Sequence, residues 1–559
     1  MKVIIIGGVA GGATAAARIR RLDEKAEIVI FERSGYISYA NCGLPYYIGG
    51  IIEDKEELTL QTPASFGKRF RVDARVHHEV TDIDPTEKTV TVKDLKTGTI
   101  FKEAYDKLLL SPGAKPILPD YAKKENDRLF TLRTVEDTLR IHDYIEKNKP
   151  QNAVVIGGGF IGLEMAENLR EQGIGVTIIQ RSRQLLNILD PDMASFLHAK
   201  CRAAGIRLYF GTNVSDIRED TIYTDQTEPI KADIIILAIG VTPENELAKK
   251  AGLALGQKGA IAVSDKMETS VPDIYAVGDA VQITHFITKK KAVITLAGPA
   301  NKEGRIAADN ICGLDSRYKG SLGSSVIKMF DMTAAATGLS EKAAKEAGFD
   351  YEKLVLSPSS HAGYYPGAKV MTMKILYEKQ TLRLLGAQIV GYDGVDKRID
   401  VLATAIFAGL PADELQHLDL AYAPPYSSAK DPVNMAGFII DNIENGIVKH
   451  FHPEDIDSLR KRNDVTLLDT RTPMEYLRGH AAGFIHIPVD NLRERLHELD
   501  PRKPVYVMCQ SGLRSYLATR ILSQNGFDAY NFSGGYRFYQ SITSDREATN
   551  EAFPCGMEK

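Results

Sequence analysis

The sequence predicts an α/β protein in which two β-α-β units follow one another and precede an α+β domain and a compact C-terminal α/β domain. The chain has 559 residues, which exceeds the ~100–200 residues of a typical domain and therefore indicates several cores. Two apolar runs that end in glycines, at residues 2–6 and 153–156, are each followed by a helical pattern and a second apolar strand. From about residue 325 the pattern changes to separate strands and helices, which predicts the two further domains.

The first β-α-β unit carries a glycine-rich loop between its first strand and a helix that extends to about Leu22. Glycines allow the backbone to approach a pyrophosphate at the N-terminus of a helix. Val9 occupies the middle glycine position of G-x-G-x-x-G, but Glu32 closes the second strand, 27–31, where a carboxylate accepts hydrogen bonds from a ribose. We predict a dinucleotide site here rather than a glycine-rich turn beside a surface glutamate. The predicted contact residues are Gly7, Gly8, Val9, Ala10, Gly11, Gly12, Glu32 and Arg33.

The second β-α-β unit contains the complete motif, with a helix from Phe160 to about Gln172 and a second strand at 176–179. No acid follows that second strand. Two arginines in its place would pair with a 2′-phosphate, which favours NADPH over NADH; the alternative is a solvated basic turn. The predicted contact residues are Gly157, Gly159, Gly162, Gln180, Arg181 and Arg183.

A third nucleotide signal is the stretch 269–279, a strand that ends in Gly278 and Asp279. A carboxylate at the C-terminal end of a strand lies where open α/β sheets bind their ligands. With the two glycine motifs, this stretch resembles the flavoprotein disulfide reductases that have two dinucleotide folds. The resemblance covers about residues 1–440. It implies FAD in the first fold, with Asp279 at the ribityl chain, and NAD(P)H in the second.

These motifs divide the reductase part of the chain. Apolar stretches at 89–92 and 234–239 are predicted strands that complete the two nucleotide domains. The FAD domain is expected to be discontinuous, at 1–148 and 255–324, and the NAD(P)H domain to span 149–254.

Cys42 is the first candidate nucleophile, because a thiolate attacks sulfur and this cysteine lies close to the predicted flavin fold. Ser38 and Asn41 are expected to donate hydrogen bonds to it; the alternative is an inert buried cysteine. The stretch resembles the coenzyme A disulfide reductase branch, with its signature S-x-x-N-C-x-L-P-Y and a single cysteine. Tyr47 stands where a partner cysteine would be, so we expect a mixed disulfide or persulfide with the substrate, or a sulfenic acid with peroxide.

The third domain is expected at 325–445, with strands at 370–376 and 387–390 and a helix at 398–408. Two tyrosine-rich stretches lie in it, and tyrosine hydroxyls hold or protonate a leaving thiolate. The resemblance implies that this is a dimerisation domain that reaches the active site of the other subunit, hence a homodimer; the alternative is that the tyrosines pack a core. The candidate catalytic tyrosines are Tyr364, Tyr365 and Tyr422.

Coenzyme A requires cations and polar groups, since it carries several phosphates. Arg18 and Arg21 are predicted on the exposed face of the first helix, and a solvated surface charge is the alternative for each of them. The candidate substrate-binding residues that the resemblance implies are Thr14, Arg18, Arg21, Arg69, Arg71, Asn301, Tyr426 and Lys430.

The C-terminal segment contains the second candidate nucleophile, Cys509, at the end of an apolar strand and before a helix. Backbone N–H groups, the helix dipole and Arg514 would stabilise its thiolate or a persulfide. The motifs at 467–475 and 509–515 resemble a rhodanese domain, in which Cys509 matches the sulfur-carrying cysteine. We expect a linker at 446–458, the rhodanese domain at 459–545 and a loose tail at 546–559.

The composition excludes several classes of protein. A net charge of -4 with 44% apolar and 25% charged residues indicates no nucleic-acid or anionic-membrane partner. No apolar run approaches the ~20 residues of a membrane span, and the N-terminus opens as a strand without a signal peptide, so a cytoplasmic location is expected. The cysteines form no C-x-x-C pair, which disfavours a metal site and structural disulfides. Cys201, Cys312 and Cys555 match no motif and are interpreted as structural or incidental.

The leading functional hypothesis is NAD(P)H-dependent reduction of CoA persulfide or polysulfide at Cys42, with sulfane sulfur supplied by Cys509 and hydrogen sulfide released. The fusion would raise the effective concentration of an unstable persulfide. The alternatives are CoA-disulfide reduction with an independent rhodanese, an NAD(P)H oxidase or peroxidase that uses a Cys42 sulfenic acid, and a rhodanese that only senses sulfane sulfur.

Overall fold

The computed structural model describes residues 1–548. They form two compact units: Met1–Arg183 with Gly205–Gly323, and Gln184–Ala204 with the described chain from Ser324 onwards. Residues 549–559, which include Cys555 and most of the predicted tail, lie outside the described residues. Within residues 1–548, no helix combines the length and the apolarity that a membrane crossing requires.

The first unit contains a parallel sheet built around the N-terminal strand. Its buried apolar strands pair in the register Ile4 with Val29 and Ile4 with Leu108, so the first strand is central and the loops after it lie at the switch point of the sheet. Helix Ala10–Leu22 follows the first strand and packs against helix Ala297–Ile311. The strands in spatial order are Ile274–Ala276, Lys107–Leu110, Lys2–Ile6, Glu27–Glu32 and Asp73–Val76.

A second parallel sheet in the same unit repeats this arrangement. Helix Phe160–Glu171 follows its central strand. The strands in spatial order are Arg207–Phe210, Gly175–Gln180, Asn152–Ile156, Ile234–Leu237 and Leu129–Phe130.

Smaller strands and helices complete the first unit. The strands of the small sheets are His78–Asp84, Thr89–Asp94, Ile100–Ala104, Ala114–Pro116, Val214–Arg218, Thr221–Thr224, Ile230–Lys231, Val241–Pro243, Ile261–Ala262, Val281–Thr284 and Lys291–Ala292. The remaining α-helices are Leu44–Ile48, Pro63–Phe70, Val135–Asn148 and Glu246–Lys250.

The second unit begins with an antiparallel sheet whose central strand Leu384–Gly391 is buried at every position. The strands in spatial order are Ser325–Met329, Met332–Gly338, Leu384–Gly391, Thr372–Glu378 and Tyr351–Leu356. The helices of this part are Pro191–Ala203, Glu341–Ala347, Val395–Ala408 and Pro432–Glu444.

The C-terminal part of the second unit is a five-stranded parallel sheet. The strands in spatial order are Lys449–Phe451, Ala529–Phe532, Val505–Met508, Thr466–Asp469 and Ile485–His486. The helices are Pro453–Leu459, Pro473–Leu477, Leu513–Gln524 and Gly535–Glu547.

The structure differs from the linker expected at 446–458. Lys449–Phe451 is the edge strand of the C-terminal sheet, and Phe451 is buried in its core. His452 caps the following helix, and Pro453 begins it, because proline has the φ of a first helical residue and lacks only an N–H that would be unpaired. The proline that suggested a linker is therefore the first residue of a helix. At the other end of the domain, residues 546–547 belong to helix Gly535–Glu547 and not to a tail.

Candidate active sites

The first dinucleotide cradle is formed by the loop after strand Lys2–Ile6. Gly7 has φ +96, and a Cβ on it would lie 2.1 Å from the Ser111 carbonyl oxygen. Gly8 donates its N–H to Glu32 Oε2 at 3.0 Å, so the carboxylate lies beside the loop. Val9 has extended φ and ψ of -106 and -158. The extended backbone explains why a residue other than glycine is tolerated there.

The helix that starts at Ala10 has no side-chain cap at Val9. Its first N–H groups are therefore available to a phosphate, together with the positive end of the helix dipole. Gly12 could not carry a side chain, because its Cβ would lie 2.0 Å from the Gly7 oxygen. The residues present thus fit a dinucleotide with its pyrophosphate at this helix. The guanidinium group of Arg33, a predicted contact residue, instead forms an ion pair with Glu244 at 2.8 Å.

Asp279 follows strand Ile274–Ala276, and burial raises the pKa of its carboxyl group. Gly278 has φ +81 and donates its N–H to Glu303 Oε2 at 2.7 Å. Burial raises the pKa of Glu303 to about 7. Sequence reasoning missed Glu303, since it belongs to no motif and reaches the cradle from the distant helix Ala297–Ile311.

The second cradle repeats the first with an amide in place of the acid. Gly158 donates its N–H to Gln180 Oε1 at 3.0 Å, as Gly8 does to Glu32. Gly157 has φ +112, and a Cβ on Gly162 would lie 2.0 Å from the Gly157 oxygen. The helix cap Gly159 has open space around its Cβ position and makes no capping hydrogen bond.

The two arginines after the second cradle, Arg181 and Arg183, are exposed. Neither has an ion-pair partner among the described residues, so both guanidinium groups are available to an anion.

Cys42 lies in the short 3₁₀ turn Asn41–Gly43 before helix Leu44–Ile48, and its side chain is exposed. Desolvation by the surrounding protein raises the pKa of the thiol, and the negative charges of Glu164 and Asp279 raise it further. The sequence leads to the opposite expectation of hydrogen bonds from Ser38 and Asn41. Within residues 1–548 neither side chain donates to the Cys42 sulfur.

Glu164 is a second residue that the motifs did not reveal. It lies in helix Phe160–Glu171, and burial together with the charge of Glu167 raises its pKa to about 7. The charge of Glu164 also raises the pKa of Tyr46, after the larger effect of burial. Deprotonation of Cys42 therefore depends on the protonation of a neighbouring carboxyl group.

The candidate residues for coenzyme A separate into two groups. Thr14 donates to Asn301 Oδ1, so the structure brings these two residues together. Arg18 is half-buried and pairs with Asp309 at 2.7 Å, which corrects its predicted place on an exposed face: helix Ala297–Ile311 covers that side. The exposed arginines of the set are Arg21, Arg69 and Arg71, and Arg71 pairs with Glu24 at 3.1 Å.

The candidate tyrosines of the second unit lie on its surface. Tyr364 and Tyr422 share a hydrogen bond of 2.7 Å between their hydroxyls. The bond to Tyr364 raises the pKa of Tyr422. Exposed aromatic rings that pair their polar ends in this way are available to a ligand or a second subunit. Tyr365, Tyr426 and Lys430 are also exposed.

Arg398 connects the two tyrosine-bearing loops. Its guanidinium group is buried and donates to the Ser360 carbonyl at 2.9 Å and the Tyr426 carbonyl at 3.3 Å. It also pairs with Asp431 at 2.9 Å, and Ser427 donates to the same carboxylate at 2.6 Å. A buried charge with this many bonds fixes the backbone on either side of the tyrosines.

The second thiol, Cys509, is fully buried after strand Val505–Met508. Gly512 donates its N–H to the Cys509 sulfur at 3.1 Å, and Ser515 donates its hydroxyl at 3.3 Å. Gly512 has φ +103, a left-handed conformation that a side chain would strain, and it begins helix Leu513–Gln524. The sulfur thus lies at a helix N-terminus with two donors directed at it, which suits an anionic thiolate or persulfide.

Arg514 is held by a bidentate ion pair with Glu475, with both contacts at 2.7 Å. The hydrogen bonds from Arg514 lower the pKa of Glu475 to about 2. Beneath this pair, the buried Arg471 binds the buried Asp469 at 2.7 Å and lies over the Tyr536 ring at 3.8 Å. These contacts join both sides of the Cys509 loop.

Three acids of the second unit, Asp190, Asp192 and Glu341, are close enough to hold a metal ion. The buried ammonium of Lys374 lies among them, at 3.0 Å from Asp190 and 2.8 Å from Asp192, with Glu341 also in contact. The positive charge that balances these three carboxylates is therefore supplied by a lysine.

Comparison with known families identifies the domains of the chain. The chain matches the pyridine nucleotide-disulphide oxidoreductase model over residues 1–304, the dimerisation domain of the same family over 324–432 and a rhodanese-like domain over 452–541. The chain belongs to the pyridine nucleotide-disulphide oxidoreductase family. This assignment confirms the predicted fold class, with two tandem dinucleotide folds, an α+β dimerisation domain and a C-terminal rhodanese domain.

Individual members of the pyridine nucleotide-disulphide oxidoreductase family are similar over most of the chain. Reduced Bacillus anthracis CoADR-RHD is 48% identical with a TM-score of 0.95, over 98% of each chain. An NAD-dependent persulfide reductase from A. fulgidus is 38% identical with a TM-score of 0.90, over 96% of this chain and 100% of that one. The coenzyme A disulfide reductase of Staphylococcus haemolyticus is 38% identical over 438 residues, which are 78% of this chain and 98% of that protein.

Proposed function

We propose that this protein uses NAD(P)H to reduce CoA persulfide or polysulfide through Cys42, with Cys509 as the carrier of sulfane sulfur and hydrogen sulfide as a product. The observation that carries the proposal is the complete donor set around Cys509 in the same chain as a reductase unit with one motif cysteine. A domain kept only for its fold would need neither donor.

The residues of the first unit fit both cofactors. FAD would be held by the loop 7–12, Glu32 and Asp279, and NAD(P)H by the loop 157–162 with Gln180 and the two arginines that follow it. When bound, the flavin supplies the two-electron chemistry that joins the nicotinamide to sulfur. The missing acid at Gln180 and the free guanidinium groups support a preference for NADPH.

Cys42 carries the reductive step. Its thiolate attacks the CoA-side sulfur of CoA persulfide, the S–S bond breaks, and hydrosulfide leaves with the electron pair. Cys42 then holds CoA as a mixed disulfide. The two electrons of NAD(P)H break this second S–S bond and give the Cys42 thiol and free CoA after one proton is taken up.

Tyrosines of the dimerisation domain assist this step. Tyr364 and Tyr422 form a hydrogen-bonded hydroxyl pair on an exposed surface. One hydroxyl can donate to a departing thiolate while it accepts a hydrogen bond from the other. We propose that they act on a bound substrate across a homodimer interface. The dimerisation-domain match over residues 324–432 supports this assembly.

A second candidate function is plain CoA-disulfide reduction with an independent rhodanese. It is favoured by the Staphylococcus haemolyticus relative, which is named a coenzyme A disulfide reductase and matches 438 residues of this chain. In this case the mixed disulfide at Cys42 would form with release of CoA thiolate and not of hydrosulfide.

Steady-state kinetics of the FAD holoenzyme decide between the two. We expect kcat/KM for CoA persulfide to exceed that for CoA disulfide, and we expect Cys42→Ser to abolish both. Cys509→Ser should abolish turnover of polysulfide in the presence of CoA but leave preformed CoA persulfide unaffected. Cys312→Ser, a half-buried thiol outside both sites, is the matched control. Unchanged polysulfide turnover in Cys509→Ser, or a large preference for the disulfide, contradicts the relay.

A further inference from the structure

A cavity of about 470 Å³ lies on the rhodanese domain, outside the site of Cys509 itself. It forms between helix Leu513–Gln524 and the segment with two short 3₁₀ turns, Val489–Asn491 and Leu496–Glu498. Its lining residues are Arg493, Leu496, Leu517, Arg520, Ile521, Gln524 and Asn525.

The cavity is cationic. Arg493 is exposed and has no ion-pair partner among the described residues, and Arg520 donates one N–H to the Ile447 carbonyl, which leaves its other donors for a ligand. Gln524 and Asn525 add amide groups, and the seven lining residues include no acid. Two guanidinium groups without a carboxylate in the same cavity favour a phosphate-bearing ligand.

An apolar track, formed by Leu513 and Leu517, runs from the cavity toward the loop that holds the sulfur-carrying thiol. Leu513 and Leu517 are 58% and 49% exposed and lie one turn apart on the face of the helix that continues to the cavity. The track begins at Gly512, whose N–H contacts the Cys509 sulfur. From Gly512 to Arg520 the helix rises about 12 Å, at 1.5 Å per residue.

We propose that this cavity and track bind coenzyme A as an acceptor on the rhodanese domain, with its phosphates between Arg493 and Arg520 and its pantetheine arm along Leu513 and Leu517. The ligand must carry a thiol at one end, phosphates at the other and a long, partly apolar arm between them. The inference rests on the proposed function, because it gives the CoA thiol a place to receive sulfur before it reaches Cys42.

Sulfur transfer from Cys509 to CoA conserves both atoms and electrons. A sulfane donor, such as a polysulfide, first leaves one sulfur on Cys509 as a persulfide. The CoA thiolate then attacks the outer sulfur, a new S–S bond forms on CoA, and the old bond breaks with its electron pair on the Cys509 sulfur. The Gly512 N–H and the Ser515 hydroxyl receive that charge. No oxidant or reductant is consumed, and the proton of the CoA thiol passes to solvent.

The test measures sulfur transfer from persulfidated Cys509 in the FAD holoenzyme to CoA, 3′-dephospho-CoA, pantetheine and 2-mercaptoethanol. Arg493→Gln is expected to raise KM for CoA about 10-fold, which corresponds to about 1.4 kcal/mol for a lost charge-assisted contact. Transfer to pantetheine and 2-mercaptoethanol should not change. Arg493→Lys should restore part of the affinity, and Arg502→Gln, an exposed arginine outside the cavity, is the matched control.

Direct measurement of CoA binding distinguishes failure of the CoA site on the rhodanese domain from failure of the sulfur relay. CoA-disulfide reduction at Cys42 should be the same in Arg493→Gln and wild type, and equilibrium dialysis should show that one CoA site per chain is about 10-fold weaker in the variant. If dialysis shows the weakened site but the wild type transfers no sulfur to CoA, the relay fails and the binding site stands. If KM and the dissociation constant for CoA are unchanged in Arg493→Gln and in Arg520→Gln, or KM for pantetheine rises equally, the binding site is refuted. Competition by inorganic phosphate as effective as that by CoA would show a simple anion site and also refute it.

Discussion

Replacement of Arg398 by methionine tests whether one buried guanidinium group holds the tyrosine-bearing loops in place. The side chains of Arg398 and Asp431 are 1% and 3% exposed, and the pair is 2.9 Å apart. Methionine keeps much of the volume of Arg398 but leaves the Asp431 carboxylate with only the partly exposed ammonium of Lys397, 3.9 Å away, as a counter-charge. Removal of one partner from such a pair costs about 3–5 kcal/mol.

The expected loss is confined to the part of the chain that the pair connects. Hydrogen exchange of the holoenzyme, followed by mass spectrometry, should show a lower opening free energy for 358–366 and for 421–444, including the Val433 N–H that donates to Asp431 at 2.9 Å. Because the Ser360 and Tyr426 carbonyls lose the same donor, kcat for CoA substrates should fall as well.

Two variants sharpen this test. Arg495→Met breaks an exposed, bidentate pair with Glu498 and should cost less than about 1 kcal/mol. In Arg398→Met/Asp431→Asn the buried negative charge of Asp431 is gone, so the double variant should recover about 1 kcal/mol or more relative to Arg398→Met. The reasoning is refuted if Arg398→Met costs no more than Arg495→Met, or if Asp431→Asn brings no recovery.

Three further predictions concern the first unit. Glu164→Gln removes a negative charge that raises the pKa of Cys42, so the pH profile of Cys42 alkylation by iodoacetamide should shift to lower pH; a profile that stays in place contradicts this. Gly162→Ala should destabilise the apoprotein, because its Cβ would lie 2.0 Å from a carbonyl oxygen. Gly159→Ala should have the melting temperature of the wild type but a higher KM for NADPH, and equal melting temperatures of the two variants would be inconsistent with the geometry. Burial raises the pKa of Glu303 to about 7 from its ordinary 4.5. The protonated carboxyl group therefore gives a stabilisation on the order of 3 kcal/mol that is full below pH 4.5 and is lost as pH rises through 7. In Glu303→Gln apoprotein this decline in the free energy of unfolding should disappear, and an unaltered pH dependence would contradict the role of Glu303.

The parts of the site that could be predicted from sequence are those whose chemistry is local. Gly7 and Gly157 have positive φ between a strand and a helix, and both requirements are visible in a few consecutive residues. The same is true of Cys509, since its donors Gly512 and Ser515 lie within six residues of it.

Residues that act over long sequence separations were missed. Glu303 meets Gly278 from 25 residues away, and Arg398 meets Asp431 from 33 residues away, so no spacing rule reveals either pair. Arg18 illustrates the opposite error. Helical periodicity predicts an exposed face, but only the tertiary structure shows that a second helix covers it.

The rhodanese domain is fixed to the dimerisation domain by its own contacts, which changes how sulfur transfer must be understood. Ser533 both accepts from the Val355 N–H at 2.9 Å and donates to its carbonyl. Asp545 also binds His198 at 2.8 Å and Arg202 at 2.6 Å, on helix Pro191–Ala203 of the same unit.

Lys353 and Glu454 add an ion pair of 2.5 Å between the dimerisation domain and the rhodanese domain. The residues expected to be a linker are themselves a strand and a helix of the rhodanese sheet. Effective concentration through a flexible tether therefore does not describe this fusion. With Cys509 held in this way, sulfur transfer to a separate carrier requires only that the carrier reach the Cys509 loop. A thiol on a long arm that is anchored by phosphates meets that requirement, which is why the arginine-lined cavity beside Cys509 is the decisive place to test the relay.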